Sequence, residues 1–94
     1  MNDIIDSIEN KLNYAEGHLD KRNERKNVAA ICMVESAIDE MSKMDNLYEY
    51  LNAEEIKHWK MVLNDAIENK GMKNRAVLEV INEINIKLLR MKSI

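Results

Sequence analysis

The sequence predicts an all-α protein, a small antiparallel (up-down) bundle of four helices that dimerisation can complete. Three observations carry this expectation. Apolar residues recur at alternating steps of three and four through four separate stretches, the period of a helix face and not of a strand. Proline is absent and glycine occurs only twice in 94 residues, which leaves little material for the tight turns of a β-fold. The stretches are similar in length with short links between them, which makes consecutive helices antiparallel neighbours. The chain is expected to be one domain, and at this size folding hides roughly two-thirds of the unfolded surface.

The first helix is expected at about residues 2–19. Ile5, Ile8, Leu12, Ala15 and Leu19 form a narrow stripe with Ile4 beside it. Gly17 falls on the opposite face, where it weakens the helix by up to about 1 kcal/mol relative to Ala. From Asp20 to Asn27 no side chain is apolar, so this stretch reads as a link plus the solvated first turn of the next helix. Asp20, Asn23 and Asn27 are each candidate N-caps.

The second helix, at about 24–45, has a far broader apolar arc. Ala30, Ile31, Met33, Val34, Ala37, Ile38, Met41 and Met44 fill nearly half its circumference, a width that usually touches more than one neighbour. Cys32 falls among the polar positions. After a short connection, Asn52 and Glu55 have the spacing of a capping box, flanked by Leu51 and Ile56 as a hydrophobic staple. They start a third helix, 53–70, along Ile56, Trp59, Val62, Leu63, Ala66 and Ile67. Gly71 suits the left-handed position after its end, with Met72 placed to touch Ile67.

The fourth helix is expected at about 74–92. Val77, Ile81, Ile84, Leu88 and Met91 keep the alternation of four and three, while Leu78, Val80 and Leu89 widen the face. Lys87, Arg90 and Lys92 lie towards its C-terminal end, where cations suit the helix dipole. The extra width of helices 2 and 4 has two outlets, the centre of the bundle or a second chain. Ile86 and Met61, each isolated on a polar side, favour the second outlet.

The chain carries 14 basic and 17 acidic residues, unevenly spread: −1 over 1–31, −6 over 32–69 and +4 over 70–94. An acidic middle and a basic end suit helices packed side by side, within one chain or across two. A net-acidic chain has no overall attraction for nucleic acid. No apolar run approaches a membrane span, and the N-terminus lacks the layout of a signal peptide. One cysteine excludes an internal disulfide framework and a Cys-rich zinc site. The expected setting is cytoplasmic.

Chemistry-bearing motifs are sparse. Glu55 and His58 have the Glu-x-x-His spacing that carboxylate-bridged metal bundles use in pairs, but Ala15 stands where His18 would need its glutamate. No metal site, cofactor or catalytic residue is therefore expected, and the metal-carboxylate bundle enzyme is the remote alternative. Lys21, Arg22, Arg25 and Lys26 form the densest basic cluster and could grip phosphates. Asp20 and Glu24 are interleaved with it and no aromatic residue stands nearby for stacking. A nucleic-acid-associated regulator is thus the alternative reading. The leading expectation is a small non-enzymatic helical interaction module, an adaptor, chaperone-like binder or regulatory or inhibitory protein, that acts through the broad apolar faces of helices 2 and 4 on a protein partner, on itself as a homodimer, or on both. Its candidate contact residues are Met33, Met41, Met44, Tyr48, Tyr50, Met61 and Ile86, chosen as adaptable methionines, aromatic anchors and exposed apolar side chains.

Overall fold

A computed structural model of the chain describes residues 2–19, 24–43, 53–69 and 73–92. The described residues form four helices and no strand: α1 (Asn2–His18), α2 (Glu24–Ser42), α3 (Ala53–Glu68) and α4 (Asn74–Lys92). All four expected helices are present, with ends displaced by less than one turn. Of the predicted capping box and staple, Glu55 and Ile56 lie in the first turn of α3, while Asn52 and Leu51, like Gly71 and Met72, lie outside the described residues.

Local bonds show how several ends are made. The Lys43 amide donates to the Glu40 carbonyl at 3.1 Å, a tightened final turn that closes α2. At the end of α3, both the backbone amide and the side-chain amide of Asn69 donate to the Asp65 carbonyl, at 3.1 and 2.7 Å. The Lys73 carbonyl accepts from Val77, so Lys73 is the residue that opens α4. Asn27 is fully buried inside the first turn of α2, which removes it from the candidate N-caps. Asp20 and Asn23 lie outside the described residues.

The helices close a ring. Helix α1 packs on α2, α2 on α3, α3 on α4 and α4 on α1, with α2 also touching α4 across the middle. The α1–α2 pairing is much the densest of these. Cross-helix partners set the directions. Ser7 meets Glu40 while Lys11 meets Ser36, and Glu55 meets Lys87 while Trp59 meets Glu83. In each case residue numbers rise on one helix as they fall on the other, so both pairs are antiparallel, as an up-down bundle requires.

The expected stripes are the core. Ile5, Ile8, Leu12 and Ala15 of α1 meet Ala30, Ile31, Val34, Ala37, Ile38 and Met41 of α2. Trp59, Leu63 and Ala66 of α3, with Val77, Val80, Ile81, Ile84 and Leu88 of α4, complete it. Among the described residues the broad arc of α2 is buried inside the bundle against three neighbours, except for the half-buried Met33. Helix α4 behaves differently. Val80 joins the core, but Leu78 and Leu89 stay outside it.

Candidate interaction surface

Among the described residues of α3 and α4, four large apolar side chains face solvent. On α4, Leu89 is 63% exposed, Ile86 44% and Leu78 40%, and Met61 on α3 is 62% exposed. At 100° per residue, Leu78 and Leu89 fall within about 20° of each other on one flank of α4. Asn82 and Asn85 lie between them on that flank, exposed and half-buried respectively. Ile86 borders this strip and also lines an open cleft of about 460 Å³ between α3 and α4. Met61 points away from the α3 core face, well apart from the α4 strip.

The cleft walls combine acids, bases and one aromatic ring. Glu54, Glu55, His58 and Trp59 come from α3, and Glu83, Ile86, Lys87 and Arg90 from α4. The Trp59 ring is buried and its Nε1–H donates to Glu83 Oε2 at 2.6 Å, so the polar tip of an apolar anchor is satisfied at the cleft wall. Lys87 bridges to Glu55 at 3.2 Å. That contact ties Glu55 to α4, while His58 is exposed. Among the described residues no three His, Cys, Asp or Glu side chains gather as metal ligands.

The α1–α2 seam carries a polar ladder that sequence reasoning missed. Lys11 Nζ donates to Ser36 Oγ at 2.9 Å and pairs with Glu40 Oε1 at 2.9 Å. Ser7 Oγ donates to Glu40 Oε2 at 3.1 Å. The Lys11 hydrogen bond, with help from Ser7 and against partial burial, holds the Glu40 carboxyl below its usual range. A usable signal existed in the sequence, since Ser7/Lys11 and Ser36/Glu40 are both four residues apart and so share a flank. Glu35 lies on the other flank of α2. Burial, reinforced by Asp39 and opposed by Lys60, raises its carboxyl, and Oε1 is sealed from solvent without a hydrogen-bond partner among the described residues.

The remaining expected site residues divide as follows. Met41 is 1% exposed and belongs to the core, which removes it from the contact set. Met33 packs half-buried against the core. Met44, Tyr48 and Tyr50 lie outside the described residues, as do Lys21 and Arg22. Arg25 and Lys26 are exposed in the first turns of α2. Cys32 is exposed, as its polar position implies. The sequence singled out Ile86 and Met61 and assigned Leu78 and Leu89 to the broad face of helix 4. Their exposure depends on where α1 and α3 sit around α4, which the period alone does not give. Among the described residues no helix is long and apolar enough to cross a membrane. No protein-family model, curated protein or solved structure gives a significant match to this chain.

Proposed function

We propose that the chain is a non-enzymatic interaction module that acts through protein contacts on the exposed flank of α4. The observation behind this reading is the strip of Leu78, Ile86 and Leu89 on a helix whose other face already supplies the core. Isolated exposed apolar residues are ordinary, but Ile86 and Leu89 are one turn apart and Leu78 continues the same flank three turns away, a grouping of the kind found at contact surfaces. Six residues of the α2 arc, Ala30, Ile31, Val34, Ala37, Ile38 and Met41, are buried in the core, so the proposal centres on α4. A cytoplasmic setting belongs to the same proposal.

Capture from native lysate tests it. Wild-type chain and an Ile86→Glu/Leu89→Glu variant, matched in helicity by circular dichroism, are used as bait. Proteins retained by the wild type and lost by the variant support the reading. Identical capture by both contradicts it.

A further inference from the structure

The flank of α4 has a second regularity beyond its exposure. Arg75, Leu78, Asn82, Asn85 and Leu89 follow steps of three, four, three and four, a heptad seam lying beside the buried seam of Val77, Ile81, Ile84 and Leu88. The helix thus carries two adjacent seams, of which the first supplies the core and the second holds the exposed Leu78, Asn82 and Leu89 with the half-buried Asn85. From Leu78 to Leu89 the second seam spans about 60° of arc and contains no charge.

This seam is self-complementary in one orientation. If α4 lies antiparallel to α4 of a second copy so that position 78 is level with position 89, position 82 is level with 85. Each end of the pairing is then Leu on Leu, and the two middle layers are Asn on Asn. Asparagine at such positions fixes register and partner number, at some cost in affinity. A parallel arrangement in register would instead place every residue opposite itself.

Charge on the outer flank selects the same direction. Glu79 lies near one end and Arg90 near the other, and both are exposed. Antiparallel pairing puts the same flank of both copies on one side of the interface and brings Glu79 of each copy within one turn of Arg90 of the other, whereas parallel pairing leaves these flanks on opposite sides and forms neither pair.

We propose that the partner of this surface is a second copy of the chain, docked antiparallel through α4 with Leu78 on Leu89 and Asn82 on Asn85. This assignment rests on the proposed contact role of α4 and specifies its occupant.

Disulfide trapping in the full-length chain tests it. Cys32 is exposed, so it is replaced by Ser in every variant. Leu78→Cys and Leu89→Cys are oxidised separately and as a mixture, with Met61→Cys as the reference for random collision. In the antiparallel register the two copies of position 78 stand about 16 Å apart along the helices, while positions 78 and 89 are in contact. The mixture is expected to bridge 78 to 89 at least about tenfold faster than either variant bridges to itself or the reference does. Faster 78–78 and 89–89 bridging overturns the antiparallel register. Bridging at the reference rate throughout overturns self-pairing altogether. The broader contact reading is judged separately, by whether lysate capture depends on Ile86 and Leu89.

Discussion

Replacing Glu35 by Met is expected to stabilise the fold, and to do so most at neutral pH. Glu35 sits on the α2 flank beside Asp39, with Oε1 sealed and without a hydrogen bond among the described residues. A buried acceptor left unsatisfied costs about 1–3 kcal/mol, and the half-buried state of Glu35 places it at the lower end, about 1 kcal/mol. Met keeps the length of the side chain and removes both the charge and the sealed oxygen. Unfolding entropy of about 2.1 cal/mol/K per residue over 94 residues amounts to about 0.2 kcal/mol/K, so the expected rise in Tm is about 5 °C. The pH dependence gives an independent check. Burial raises the folded-state pKa of Glu35, so ionised Glu35 opposes folding above that raised value. As pH falls through it, the wild type takes up its proton and recovers stability. The gain from Glu35→Met should therefore shrink between neutral pH and about pH 4, near the unfolded carboxyl value. Thermal melts followed by circular dichroism at both pH values measure this. A variant that is less stable at neutral pH, or a gain that grows on acidification, would refute the desolvation argument.

Three further outcomes follow from the packing. Gly17 is helical, and a Cβ added there meets nothing within 4 Å, so Gly17→Ala should raise stability by about 0.5–1 kcal/mol, read as a Tm gain of a few degrees. Ile8 is fully buried where α1 meets the core, and Ile8→Ala should lower stability by about 2–5 kcal/mol in urea titration, with the midpoint moving and the slope unchanged. Lys11→Met breaks the ladder to Ser36 and Glu40 at a cost of about 1 kcal/mol at neutral pH. The lowered folded pKa of Glu40 gives stability that is present above the unfolded carboxyl value and lost as pH falls through the folded one. Potentiometric or NMR titration should therefore find the Glu40 pKa higher in Lys11→Met, with less stability lost on acidification.

What the sequence made legible follows from what burial makes periodic. Ile5, Ile8, Leu12 and Ala15 show their helix because each contributes to one side of one cylinder, and every such residue is in the core. The same logic separated Cys32 from its apolar neighbours. It could not divide Val80 from Leu78 and Leu89, which flank the same stripe on opposite sides. Which flank is covered depends on the positions of α3 and α1 around α4, and that is a tertiary fact. Glu35, Glu40 and Lys11 all looked like solvent-facing polar residues. Their environments arise because α1 and α3 close against the two flanks of α2, bringing Lys11 to Glu40 and the Lys60 charge towards Glu35. Met41 and Met33 share the apolar arc of α2, but only Met41 points squarely into the core.

The self-pairing of the chain through the α4 flank is tested most directly by sedimentation equilibrium of the wild type beside Leu89→Glu. The concentration range is about 10 µM to 0.5 mM, in which an association of roughly −5 to −7 kcal/mol becomes visible. The wild-type mass is expected to climb from the 11.0 kDa of one chain towards twice that value, while Leu89→Glu stays at one chain mass with its helicity intact. A wild type that remains at 11.0 kDa across the whole range, or a Leu89→Glu variant that associates equally well, would contradict self-pairing through α4.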